Sequence, residues 1–193
     1  GSSSQTYYHF SVYGTRSAGR AAENWYNSRA FFEFDLSGES GTATAANINL
    51  FLDNIGDVPG FADPLTNDVT IVAATALTGG TADYGNVYSS GTTWGAIYTA
   101  PFSRIVSTTE GDHLFGLNAA ALTAINSAIG SGSFVCALVG YYFDYLGNDP
   151  TLGGLITTVK VTYAEHGTAI RRPTLSITTA GVAENATFFG ANF

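Results

Sequence analysis

The feature that most constrains this chain is a strict two-residue alternation repeated in two neighbouring runs. In Ser28–Ser37, Phe32, Phe34 and Leu36 fall on one side of an extended strand, and Glu33 and Asp35 fall on the other. In Ala45–Leu52 the alternation returns with Ile48, Leu50 and Leu52. A period of two cannot place its apolar residues on one stripe of a helix, so both runs are strands with one buried face. Ser37–Thr44, rich in Gly, Ser and Thr, joins them, and the pair reads as antiparallel neighbours.

The 193 residues suffice for one sizeable core and are short for two. Charged residues make up 11%, against about 25% for an average soluble domain. Small neutral polar residues fill the gap. One lysine, Lys160, and a net charge of −8 argue against nucleic acid, since phosphate binding needs a basic face. They also give no reason to expect attraction to anionic lipid, and no apolar run is long enough to span a bilayer. One cysteine, Cys136, excludes an intramolecular disulfide and reads as a buried inert thiol within the apolar run Phe134–Val139. No signal peptide is visible. Gly1–Ser4 read as a tag remnant or a processed end, which leaves room for an export signal removed upstream.

Further strands are expected at Tyr7–Tyr13, Val69–Ala76, Ile97–Ile105, His113–Leu117, Phe134–Tyr142, Leu155–Tyr163 and Thr174–Thr178. Thr15–Asn27, Asp53–Asp68 and Gly79–Gly95 read as loops. One helix is expected at about residues 118–129. Asn118 is its N-cap, Gly130 its stop, and Leu122, Ile125 and Ile129 form its apolar stripe. The fold expected is therefore all-β, an antiparallel jelly-roll β-sandwich with one short helix. Residues 1–178 form the domain and residues 179–193 a C-terminal tail.

The order of elements resembles a known family. Arg29–Leu36 looks like the R-x-φ-φ-x-F-D strand of the DNRLRE-like β-sandwich modules, and Ala45–Leu52 like the A-x-L-x-L strand that follows it. Phe115-Gly-Leu-Asn-Ala119 resembles the F-x-L-N-x-x-G segment, without its last Gly, and Arg172–Ile177 the closing R-P-x-L-x-V strand. Each motif is short; their order carries the resemblance, over roughly Tyr7 to Thr178. It implies a jelly-roll sandwich similar to carbohydrate-binding modules, of the kind found in secreted microbial surface proteins and in structural proteins of bacterial viruses.

Catalytic signatures are sparse. His9, His113 and His166 have no metal-ligand spacing, and no Ser sits in a nucleophile elbow. Asp, Asn and Gly recur in turns, where their local hydrogen bonding suits them. Asp144, Asn148 and Asp149, around the turn at Gly147, offer hard oxygen ligands, so calcium is the one cofactor the sequence leaves room for. Arg29 and Arg172 open strands and read as partners of a carboxylate, with Asp35 or Glu165 available.

Aromatic residues give the strongest functional signal. Phe32, Phe34, Phe115 and Phe134 suit the core, whereas Trp25, Tyr26, Tyr84, Tyr88, Trp94, Tyr98, Tyr141, Tyr142 and Tyr145 sit in or beside loops, with Trp25, Tyr26, Trp94 and Tyr145 the glycan candidates. Flat rings next to Asp, Asn or Arg hold sugars by stacking on the apolar sugar face; the same rings can equally close the ends of a sandwich. Phe188, Phe189 and Phe193 follow the last core strand and are expected in a contact with a neighbouring chain. The reading is a non-enzymatic structural or adhesive subunit of an extracellular assembly, a virion or surface fibre, with copies of itself, other subunits or a cell-surface glycan as partners. The alternative is a carbohydrate-binding module of a secreted microbial protein.

Overall fold

In the computed structural model, the described residues are 8–15, 24–27, 29–57, 69–75, 77–78, 81–101, 111–147, 156–162, 167–180 and 186–189. Of these, 8–15, 24–27, 53–57, 81–82, 142–143, 156–160 and 186–189 are described by backbone alone. The strands are β1 (Tyr8–Thr15), β2 (Asn24–Asn27), β3 (Ala30–Asp35), β4 (Thr42–Asp57), β5 (Val69–Ala73), β6 (Tyr88–Ser90) and β7 (Thr93–Trp94). They continue with β8 (Gly111–Gly116), β9 (Ser133–Gly140), β10 (Ile156–Val161), β11 (Thr174–Ala180) and β12 (Ala186–Phe189). The α-helix, α1, spans Ala119–Ala128.

The architecture is mostly β, with antiparallel sheets. The larger sheet has seven strands, paired in the order β12-β11-β4-β10-β1-β2, with β8 also on β4. The smaller runs β3-β9-β5, and β6 with β7 forms a separate hairpin. β4 is the hub. Leu52 pairs with both Gly111 and Val161, and Ile48 with both Phe115 and Leu175, so β8 holds one edge and β10 and β11 share the other in series.

Three expectations need correction here. The alternating runs β3 and β4 are not paired with each other: β3 lies on β9 and β4 in the larger sheet. Alternation tells which face is buried but not which strand lies alongside. Both runs bury the same face toward a shared core from opposite sheets. The second correction is one of length. β4 runs 16 residues, so the segment expected to be a loop from Asp53 is strand as far as Asp57, pairing with β10. Likewise Asn24–Asn27, expected in a loop, adds β2 to the edge of β1.

One buried core draws residues from both sheets. Phe32, Phe34 and Leu36 of the β3 run meet Ile48, Leu50 and Leu52 of β4, and all six are fully buried. Phe134 stacks on Phe34 with ring centroids 6.4 Å apart, and on Tyr98 at 5.4 Å. Cys136 is fully buried, and burial pushes its thiol well above the usual range.

The helix forms where its caps place it. The Asn118 side chain accepts from the N–H groups of Ala120 and Ala121 at 3.0 and 3.2 Å. Gly130, at φ 77°, turns the chain so that its N–H reaches the Leu36 carbonyl. Ala121, Ile125 and Ala128 are buried, and Leu122 and Ile129 pack at the margin. Asn126 locks the helix to β4, its amide accepting from and donating to the backbone of Ala43 at 2.6 and 3.1 Å.

Candidate functional site

The outer face of the smaller sheet positions the site. On β3 that face carries Phe31, Glu33 and Asp35, with Arg29 just before the strand on the same side. On β9 it carries Ser133, Val135, Ala137 and Val139, and on β5 Val72. The described residues of the segment 74–97, namely 74–75, 77–78 and 81–97, fold back over this face. They contain a 3-10 helix (Thr81–Val87) and the β6–β7 hairpin, in a segment expected to be a loop. Val72, Val87, Ala137 and Val139 make a second small core there, with Phe31, Trp94 and Ile97 packed against it.

The return of this segment is fixed by backbone pairing. Ala73 N–H donates to the Ala96 carbonyl at 2.8 Å, and Tyr98 N–H to the Ile71 carbonyl at 2.7 Å. A Cβ on Gly95 would stand 2.9 Å from the Ala73 carbonyl oxygen and 3.2 Å from that of Val87, so only glycine fits this approach. Asp83, buried, accepts from the Thr78 N–H and hydroxyl and from the Asn86 amide, which closes the 3-10 segment on itself.

Arg29 is the centre of the site. Its Nε and one terminal nitrogen donate to the two carboxylate oxygens of Asp144, both at 2.7 Å, in the planar two-point geometry that guanidinium and carboxylate share. The other terminal nitrogen donates to the Tyr84 carbonyl at 2.5 Å, while the nitrogen bonded to Asp144 also donates to the Tyr88 hydroxyl at 2.9 Å. Three rings surround the cation: Tyr84 with its centroid 3.8 Å away, Trp94 at 4.8 Å and Tyr88 at 5.1 Å. The paired side chains are 1% and 4% exposed, so the ion pair is sealed from water. Burial by itself disfavours the guanidinium charge. The hydrogen bonds and charge of Asp144, joined by the Tyr88 hydroxyl, outweigh it, and Arg29 titrates above its ordinary value.

Outside this ion pair the rings form a row. β9 ends at Gly140 and the chain enters a π-helical turn, Tyr141–Tyr145, closed by the Leu146 N–H on the Tyr141 carbonyl. That turn carries Asp144 inward to Arg29 and stacks Tyr145 on Tyr141, with centroids 5.6 Å apart and planes 11° from parallel. Tyr145 also meets Trp94 at 5.1 Å, and Trp94 meets Tyr88 at 5.0 Å. Tyr141, Tyr145, Trp94 and Tyr88 are half-buried, whereas Tyr84 and the adjoining Leu146 are exposed. Burial, and then the charge of Asp144, pushes the Tyr84 phenol above its usual range, with Arg29 pulling the other way.

The sequence-selected residues divide accordingly. Trp94 and Tyr145 come together in the row, and Asp144 lies behind it. Trp25 and Tyr26 lie on β2, pairing with Gly14 and Tyr13 in the other sheet; their side chains are outside the described residues. Asn148, Asp149 and Phe193 are outside them too. Among the described residues no group of three His, Cys, Asp or Glu side chains stands ready to hold a metal. Both Asp144 oxygens accept from Arg29, so a cation there would have to displace the guanidinium. Arg29 thus pairs Asp144, 115 positions away, and not the nearby Asp35, whose carboxylate accepts instead from the Ser37 N–H at 2.9 Å. Phe188 and Phe189 belong to β12, opposite Leu175 and Thr174, so part of the tail expected beyond the domain returns to its own sheet.

Tyr84, Tyr88 and Tyr141, marked in the sequence as loop aromatics but not among the four glycan candidates, complete the site. Their signal in the sequence was the density of Tyr around Gly85 and in Tyr141-Tyr-Phe-Asp-Tyr145, which does not by itself say that the two clusters meet. No helix among the described residues is long and apolar enough to cross a membrane. No family model, curated protein or solved structure matches the chain.

Proposed function

We propose that the chain is a non-enzymatic structural or adhesive subunit of an extracellular assembly, a virion tail, fibre or capsid-surface protein or a surface fibre, and that it meets glycan through the Trp94–Tyr145–Tyr141 row. The observation that carries this is the half-buried row itself, backed by a sealed ion pair. Rings held rigid in advance give up little conformational entropy when a sugar stacks on them. The carboxylate in the cluster is spent on Arg29 and removed from water, which suits holding a surface in shape rather than turning over a substrate. Two antiparallel sheets across one core support the reading of a jelly-roll sandwich. The virion or fibre setting rests on the order of sequence motifs and on the sparse charge.

The contact with copies of the chain belongs to β12, which ends the pairing order of the larger sheet among the described residues. Deleting residues 181–193 should weaken self-association while the core between the sheets stays folded, as read by particle mass in solution. A free-standing carbohydrate-binding module is the second reading, and the aromatic row favours it equally. A stable oligomer supports the assembly subunit, a plain monomer the module. Either reading requires that Trp94→Ala abolish retention on immobilised glycan; unchanged retention would remove the row from the function. Neither reading needs a cofactor, and millimolar calcium should leave the melting temperature unchanged.

A further inference from the structure

At the Glu33 end of the β3 face, where the covering segment begins at Ala74, a cleft of about 410 Å³ opens. It is lined by Glu33 of β3, by Ser133, Phe134 and Val135 of β9, and by a wall of Ala74, Tyr98 and Ala124 of α1. The Tyr98 hydroxyl is driven to about 12 by burial and by Cys136, so at neutral pH this wall is uncharged. The helix wall is fixed by Asn118, which caps α1 and donates to the Ile97 carbonyl at 2.9 Å.

We propose that this cleft binds a small protonated amine carried on a compact body of about monosaccharide size. The volume lies within the range of small-molecule sites, roughly 300–1,000 Å³. The polar side chains of the lining are the Glu33 carboxylate and the hydroxyls of Ser133 and Tyr98, and neither Glu33 nor Ser133 has a side-chain hydrogen bond or ion pair among the described residues. Asp35 lies two positions along the same face, about 7 Å away, and Ser37 holds its carboxyl below the usual range, so it adds negative potential. The cation that could answer them from the same strand, Arg29, is taken by Asp144. An ammonium on Glu33, a hydroxyl or second N–H on Ser133, and an apolar body against Val135, Ala74 and Ala124 would satisfy each group. This inference does not depend on the aromatic row.

The test is titration of the full chain with glucosamine and with cyclohexylamine, followed by amide chemical shifts, with N-acetylglucosamine as the uncharged comparison. Binding of either amine in the millimolar range, with shifts at Glu33, Val135 and Ala124, is the expected result; the pair tells a sugar-borne from a plain alkyl amine. Glu33→Gln should weaken that binding about tenfold, as should Ala124→Leu, which narrows the cleft on a residue that favours helix. Trp94→Ala should leave it unchanged. The proposal is overturned if neither amine binds, if N-acetylglucosamine binds as tightly, or if a folded Glu33→Gln chain keeps full affinity.

Discussion

Along the outer face of β3, Arg29 just before the strand and Glu33 within it lie about 13 Å apart, in opposite physical states. Arg29 is covered by Tyr84, Tyr88 and Trp94 and answered atom for atom by Asp144. Glu33 is half-exposed beside an open cleft, with no partner for its carboxylate among the described residues. The difference comes from the chain that passes overhead. Residues 74–97 cover one end and leave the other. A charge that is sealed serves stability and shape, and a charge left open is available to a ligand.

The largest expected effect is at the sealed end. Asp144→Ala leaves a guanidinium buried without its counter-charge, which should cost about 3–5 kcal/mol by urea unfolding. Replacing both partners, Arg29→Met with Asp144→Leu, should recover most of that loss, because no charge then remains to be desolvated. If the single change costs less than about 1 kcal/mol, the pair is open to water and the contrast between the two ends collapses.

Next in size is the hinge that decides where the cover ends. Gly95→Ala drives a methyl into the Ala73 carbonyl and should cost about 1–3 kcal/mol, with local loss of amide protection over 81–97 preceding loss in β9. A smaller loss, about 1 kcal/mol, should follow Asn118→Ala, which removes the helix cap and the tie to Ile97. Amide exchange should then rise first in the opening turn of α1. The cleft wall would loosen while the Arg29 end stays protected.

The local signals were readable where the cause is local. Alternation marks Phe32, Phe34, Ile48 and Leu50 as core, and Asn118 with Gly130 brackets the helix, because those rules depend on a residue and its near neighbours. Strand partners were not readable in the same way. β3 and β4 carry the same pattern and belong to different sheets, since burial of one face is compatible with any neighbour. Arg29 suggested a carboxylate partner. The choice of Asp144 over Asp35 is made by β9, whose π-helical end swings Asp144 under the covering segment, while Asp35 satisfies itself on Ser37. Trp94 and Tyr145 were visible as loop aromatics, but their contact depends on two segments that meet only after the smaller sheet has formed.

The smallest stability effect should fall at the open end, and it is the sharpest test of the comparison. Glu33→Gln keeps the shape of the side chain and removes only its charge, which has no protein partner to lose among the described residues. Unfolding free energy should therefore change by no more than about 0.5 kcal/mol, the usual scale for a surface substitution. Asp35 lies on the same face, so removal of the Glu33 charge also relieves a like-charge repulsion. The expected pattern is a protein as stable as its parent that has lost its affinity for an amine. A marked drop in stability would mean that the Glu33 carboxylate is held within the fold, as Asp144 is, and that the two ends of the strand are sealed alike.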